Sequence, residues 1–146
     1  MKPCLFCEIA SGLTSSHILH EDDKHLAFLD IYPATVGQTV VITKQHRSSY
    51  IFHLPEEEYS ALLNFGRQVA NILDIGLKCQ RTCLVMEGME IEHAHLKLYP
   101  IHTVKKSIAE ETIDLNEYNG YLCTLHGQRM SDWELAQVAQ KILRVK

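Results

Sequence analysis

Polar and apolar residues alternate strictly over residues 93–98, with His93, His95 and Lys97 at every second position and Ala94, Leu96 and Leu98 between them. A period of two is strand spacing. With a rise of about 3.3 Å per residue, the three polar side chains stand in a row about 6.6 Å apart on one face. Short strands are also predicted over residues 16–21 and 24–30, paired as a hairpin about Asp22-Asp23. Residues 31–34 read as a turn because proline withdraws a ladder donor, and the β-branched run 38–43 reads as a buried strand. Strands over 81–87 and 93–99 follow, joined by a loop around Gly88.

The period lengthens to that of a helix in two places. Pro55 followed by three glutamates predicts a helix start, since proline suits the first turn and acids suit the positive end of the dipole. The helix runs over about 55–77, with an apolar stripe of Leu62, Leu63, Val69, Ile72, Leu73 and Leu77 and with Gly66 and Gly76 as weak points. A capping box at Ser131-Asp132-Trp133-Glu134 opens a second helix, about 131–144, whose apolar face uses Leu135, Val138 and Ile142. A short helical turn carries Cys4-Leu5-Phe6-Cys7 near the start. The stretch 105–130 has little pattern beyond a turn signal at Asn119-Gly120.

Composition narrows the partners. With 146 residues and 46% hydrophobic content, a single domain over 1–146 can bury a core without staples. A formal charge of −4 and a pI near 6.1 speak against a nucleic acid polymer and for a small ligand. No stretch approaches the ~18 apolar residues of a membrane helix, and no apolar run follows Met1, so a cytoplasmic protein without membrane contact is expected. Five cysteines are an odd count for a disulfide scaffold, which leaves the CxxC as a metal or redox pair.

A CxxC supplies two of the four ligands that a structural zinc site needs. His46, just beyond a predicted strand, and His93 complete a Cys2His2 set with Cys4 and Cys7; the alternatives are free thiols or a transient redox pair. His95 has polar neighbours on its own strand face and suits nucleophilic attack on phosphorus; the bland alternative is a strand histidine with no role. Lys97 is either a fixed cation for anionic oxygens or a solvated lysine. Asp30-Ile31 at a strand end fits a ribose diol and its sugar face, or simply forms a turn. Cys79, Cys83 and Cys123 read as small apolar strand residues.

Taken together, Cys4-Leu5-Phe6-Cys7-Glu8-Ile9, Leu26-Ala27-Phe28-Leu29-Asp30-Ile31, Val40 to His46 and His93 to Pro100 resemble the histidine triad (HIT) nucleotide-binding hydrolases, in particular their zinc-containing microbial branch. That resemblance implies an α+β fold with a roughly five-stranded antiparallel sheet packed by the long helix, with a HIT core over about 1–104 and a C-terminal extension over about 105–146. It also implies a homodimer and a purine nucleotide or nucleotide conjugate as ligand. Structural zinc would be held by Cys4, Cys7, His46 and His93. Asp30 and Ile31 would meet the ribose, Phe6 and Ile9 would border the base, and His95 would form a transient nucleotidyl-histidine. The chain departs from the family where Lys97 replaces the third histidine, Gln38 a common histidine and Thr43 a common proline. Glu90 and Glu92 add negative charge close to an anionic substrate. A nucleotide hydrolase or nucleotidyl transferase is the reading these residues favour; a nucleotide sensor with little turnover and a CxxC redox module are the alternatives.

Overall fold

The computed structural model describes residues 4–103 and 128–144. A short helix α1 (Leu5–Ala10) leads into strands β1 (Ile18–Glu21), β2 (His25–Leu29) and β3 (Thr39–Thr43). A single 3-10 turn (Ile51–His53) precedes the long helix α2 (Glu56–Leu77), followed by β4 (Arg81–Val85), β5 (His95–Ile101) and α3 (Asp132–Leu143). The five strands form one antiparallel sheet in the order β1-β2-β3-β5-β4. The α+β class and the five-stranded antiparallel sheet are thus as expected.

Alternation divides the strand side chains between two apolar layers. Ala27, Leu29, Val41, Leu96 and Leu98 pack against Leu62, Phe65, Val69, Leu73 and Leu77 of α2. On the other face Leu26, Phe28, Val40 and Ile42 pack against Phe6 and Ile9 of α1. Both faces are covered, so β2 and β3 are buried along their whole length. Continuous burial of this kind favours the β-branched run of β3.

Several local expectations change. Phe65, absent from the expected stripe, is buried at its centre, and two imidazoles, His20 and His25, stack on its ring at 5.2 and 5.1 Å. Cys79 lies outside β4 and donates its thiol to Asp74 at 3.2 Å. Besides standing at the positive end of the α2 dipole, Glu58 accepts two hydrogen bonds from Arg47, at 2.6 and 2.7 Å. The expected turn at Asn119-Gly120 lies outside the described residues, as does Cys123.

The glycines of α2 are sites of close approach instead of weak points. A Cβ at position 66 would stand 2.8 Å from Leu96 Cδ1, and one at position 76 would stand 2.4 Å from Ile142 Cα and 2.6 Å from its carbonyl oxygen. At Gly76 the obstacle is backbone, so α3 itself would have to move. The capping box starts α3 as expected, with Ser131 and Glu134 exchanging bonds of 3.3 and 2.9 Å, and Leu135 and Ile142 are buried beneath it. Gly76→Ala is therefore expected to cost about 1–3 kcal/mol, read as a fall of roughly 3–10 °C in thermal midpoint. An unchanged midpoint would mean that α3 does not rest on α2 at this point.

Candidate functional site

Two loops meet beside α1. The loop leaving β3 carries His46, and the loop entering β5 carries His93. They are stitched together: Ala94 N–H donates to Arg47 O at 3.0 Å, while Glu92 accepts from the Ser49 amide at 3.0 Å and from its hydroxyl at 2.8 Å. Glu92 is thereby committed to the loop and does not bring its charge to a ligand. Gly88, at φ +64, is needed here, since a Cβ would lie 2.5 Å from Ser49 O. This stitching also explains why β5 begins at His95 and not at the expected position 93: the Ala94 amide bonds Arg47 of the loop, and the His93 amide bonds Ile91 O.

His93 is fully buried, and its Nε2 lies 2.7 Å from Thr43 O. A carbonyl only accepts, so Nε2 carries the proton and Nδ1 presents its lone pair. Nδ1 stands 3.4 Å from Cys4 Sγ and 3.5 Å from Cys7 Sγ, and His46 Nδ1 is 3.4 Å from Cys7 Sγ. All four donor atoms of Cys4, Cys7, His46 and His93 lie within 4.8 Å of one another, and both cysteines are free thiols. Sulfur and nitrogen ligands at ordinary zinc distances in a tetrahedron are about 3.6 Å apart, so the spacing suits such an ion. Burial, reinforced by the Cys4 sulfur, pushes the Cys7 thiol above its usual range, and burial pushes the His93 imidazole down.

The same deduction applies to His95. Its Nδ1 lies 2.7 Å from His93 O and must donate, which leaves Nε2 unprotonated. Burial, opposed by that hydrogen bond and reinforced by the Lys97 charge, holds the imidazole below its ordinary pKa. Phe6 meets both His93 and His95 edge-on, at 5.9 and 5.2 Å. Lys97, also buried, is ion-paired with Glu87 and stands 3.8 Å from Glu90.

A pocket of about 270 Å³ brings together Phe6, His95, Lys97 and Glu90. Phe6, Ile9, Phe28 and Val40 give it an apolar wall, and Asp30, Ile31, His95, Lys97 and Glu90 are among the other lining residues. Asp30 is held firmly: Gln38 Nε2 donates to Oδ2 at 2.7 Å, and the Tyr32 amide donates to Oδ1 at 2.8 Å. Gln38 in turn accepts from the Ala34 amide at 2.7 Å and is almost wholly buried. Along the chain Gln38 stands out only as a departure from the family pattern, and Glu87 carries no signal of its own. What they do depends on partners 8 and 10 residues away.

A second cleft, of about 200 Å³, lies between Lys24, His25, Lys44, Arg47 and the start of α2. Two of its cations are ion-paired, Arg47 with Glu58 and Lys44 with Glu21, while His25 is held by Asp22.

Such a sheet, with a buried imidazole and an ammonium on one face and a thiol-imidazole cluster at the strand end, defines a small α+β protein whose pocket sits against β2, β3 and β5. Residues 12–103 match the HIT domain, and the chain belongs to that family. It is 32% identical over 107 residues to an uncharacterized HIT-like protein of Borreliella burgdorferi, covering 68% of this chain and 76% of that one. Its fold is similar to that of a hypothetical histidine triad nucleotide-binding protein of Sulfolobus tokodaii, with TM-score 0.77, 20% identity and coverage of 97% and 91% of the two chains. A zinc-bound histidine triad family protein of Mycobacterium smegmatis is also similar, with TM-score 0.69, 22% identity and coverage of 97% and 94%.

Proposed function

We propose that this HIT protein is a hydrolase or nucleotidyl transferase acting at the α-phosphate of purine nucleotide conjugates such as phosphoramidates. The observation that carries this reading is His95: buried, on the pocket lining, with Nδ1–H held by His93 O so that Nε2 keeps its lone pair. The Sulfolobus tokodaii relative is described as a nucleotide-binding protein, and a nucleoside monophosphate suits the same lining. The base packs on Phe6 and Ile9, and the ribose hydroxyls donate to the Asp30 carboxylate beside Ile31.

In the first step Nε2 forms a bond to phosphorus as the bond from phosphorus to the leaving nitrogen breaks. The leaving nitrogen takes a proton from the Lys97 ammonium and departs as a neutral amine. Water then attacks phosphorus, gives its proton to the now neutral Lys97 amine and displaces Nε2, releasing the monophosphate and restoring both side chains. Lysine serves in this cycle because it begins charged and becomes a base only after it has donated.

Zinc fits Cys4, Cys7, His46 and His93 by donor type and spacing, and the zinc-bound Mycobacterium smegmatis relative supports the assignment. Held by these four residues, a zinc ion would be structural: Cys4 and Cys7 would bind it as thiolates, and α1 would be tied to the strand that presents His95.

The direct test mixes the protein with an adenosine phosphoramidate, denatures it at alkaline pH and measures intact mass. An added adenylyl group, absent from His95→Ala, is expected; no adduct, with monophosphate release equal to that of His95→Ala, would leave a nucleotide-binding sensor as the better reading. Two further outcomes follow. Because Nε2 must be unprotonated, kcat/KM falls as pH drops through the His95 pKa, which burial and Lys97 hold below the ordinary ~6.5. Glu87 opposes that shift, so Glu87→Gln moves the acid limb to still lower pH; a limb moved upward would contradict the assignment. Gln38→Ala releases Asp30 and is expected to weaken a ribonucleoside monophosphate roughly fivefold by calorimetry. A 2′,3′-dideoxy analogue should lose nothing; an equal loss for both would separate Asp30 from the ribose.

A further inference from the structure

The apolar wall that α1 gives the pocket is followed by a run of hydroxyl residues. Thr14, Ser15 and Ser16 all belong to the lining. The chain reaches them by folding back onto the last turn of α1. The Gly12 amide donates to Ile9 O at 3.1 Å, and the Leu13 and Thr14 amides donate to Glu8 O at 2.9 and 3.2 Å. Thr14 is thereby held beside Ile9, on the part of the lining where the base packs, while His95 and Lys97 belong to β5.

These hydroxyls differ in what they offer a ligand. Thr14 donates its hydroxyl proton to Glu8 Oε2 at 3.0 Å. A carboxylate only accepts and a hydroxyl carries a single hydrogen, so the Thr14 oxygen has only lone pairs left to present. Glu8 does not line the pocket itself; it fixes the threonine from outside. Among the described residues the Ser15 and Ser16 hydroxyls have no hydrogen-bond partner, so they rotate to donate or to accept. Rotors of that kind serve any base edge equally, and Thr14 does not.

Purines differ in the group that such an oxygen meets. Adenine carries a 6-amino group, a donor, where guanine and hypoxanthine carry a carbonyl oxygen, an acceptor. An amino group satisfies the Thr14 lone pair. A carbonyl faces it oxygen to oxygen, with no proton between them, and both lose their water on binding.

We infer that Thr14, its proton fixed by Glu8, is a specificity determinant that selects adenine nucleotides over 6-oxopurine nucleotides. The inference rests on the nucleotide reading of this pocket and names its base; the chemistry at phosphorus is unaltered.

The test is calorimetric titration of the full chain with adenosine and inosine monophosphates, which share ribose, phosphate and ring shape. Wild-type protein is expected to bind the adenosine compound about tenfold more tightly. Thr14→Val keeps the side-chain shape without the oxygen, and the preference should fall to about twofold or less. Glu8→Ala keeps the hydroxyl and frees its proton, so inosine monophosphate should gain roughly threefold or more while adenosine monophosphate changes little. General damage to the fold would weaken both ligands together and would not produce a gain for one. Equal Kd values for wild-type protein, or a tenfold preference that survives in either variant, would overturn the role of Thr14 and leave the nucleotide reading intact. Binding of neither monophosphate to wild-type protein would overturn the nucleotide reading and this inference with it.

Discussion

Replacing His95 with alanine is expected to lower monophosphate release by roughly ten-thousand-fold or more, because no second imidazole lines the pocket among the described residues. Affinity for a nucleoside monophosphate should change little, since Asp30, Ile31 and the apolar wall are untouched. The expected signature is thus a fall in kcat with nearly constant Kd. The substitution removes the Nδ1–H that satisfies His93 O, at a stability cost of about 1–3 kcal/mol, so far-ultraviolet circular dichroism and zinc content serve as controls. A variant that is folded, zinc-loaded and within tenfold of the wild-type rate would remove His95 from the mechanism.

The second large effect is expected at the thiol-imidazole cluster. Cys7→Ser replaces a sulfur that faces both imidazoles, at 3.4 Å from His46 and 3.5 Å from His93, by a hydroxyl that does not ionise. Metal content should fall from about one zinc per chain to near none. Stability should fall by about 4 kcal/mol where free zinc stood a thousandfold above its dissociation constant. Cys83→Ser, on β4 and away from the cluster, is the control and should retain the metal. Wild-type protein without metal but with a reversible Cys4–Cys7 disulfide would support the redox alternative.

What was legible in the sequence was whatever has a local period. The strands, the start of α2 after Pro55 and the capping box at Ser131 each fall within a residue or two of expectation, because alternation, proline and capping act over one to four neighbours. The four thiol and imidazole residues were also legible as a set, by ligand type. Sequence did not reveal how distant segments touch. Gly66 and Gly76 looked like flaws because propensity is a property of one helix, while their value lies in Leu96 and Ile142 of other elements. Glu92 looked like charge near a ligand until the fold turned it onto Ser49, and the imidazoles that stack on Phe65 have no signature along the chain.

His93 belongs to both halves of this site. Its ring faces the sulfurs, while its own peptide carbonyl fixes the orientation of the His95 ring. A rotation of that one residue would disturb both the cluster and the attacking nitrogen, so the two sites are thermodynamically linked. Such coupling is reciprocal: whatever a cation in the cluster adds to nucleotide affinity, a bound nucleotide adds to cation affinity. Where that coupling is favourable, metal loss under scarcity would fall first on protein that holds no ligand.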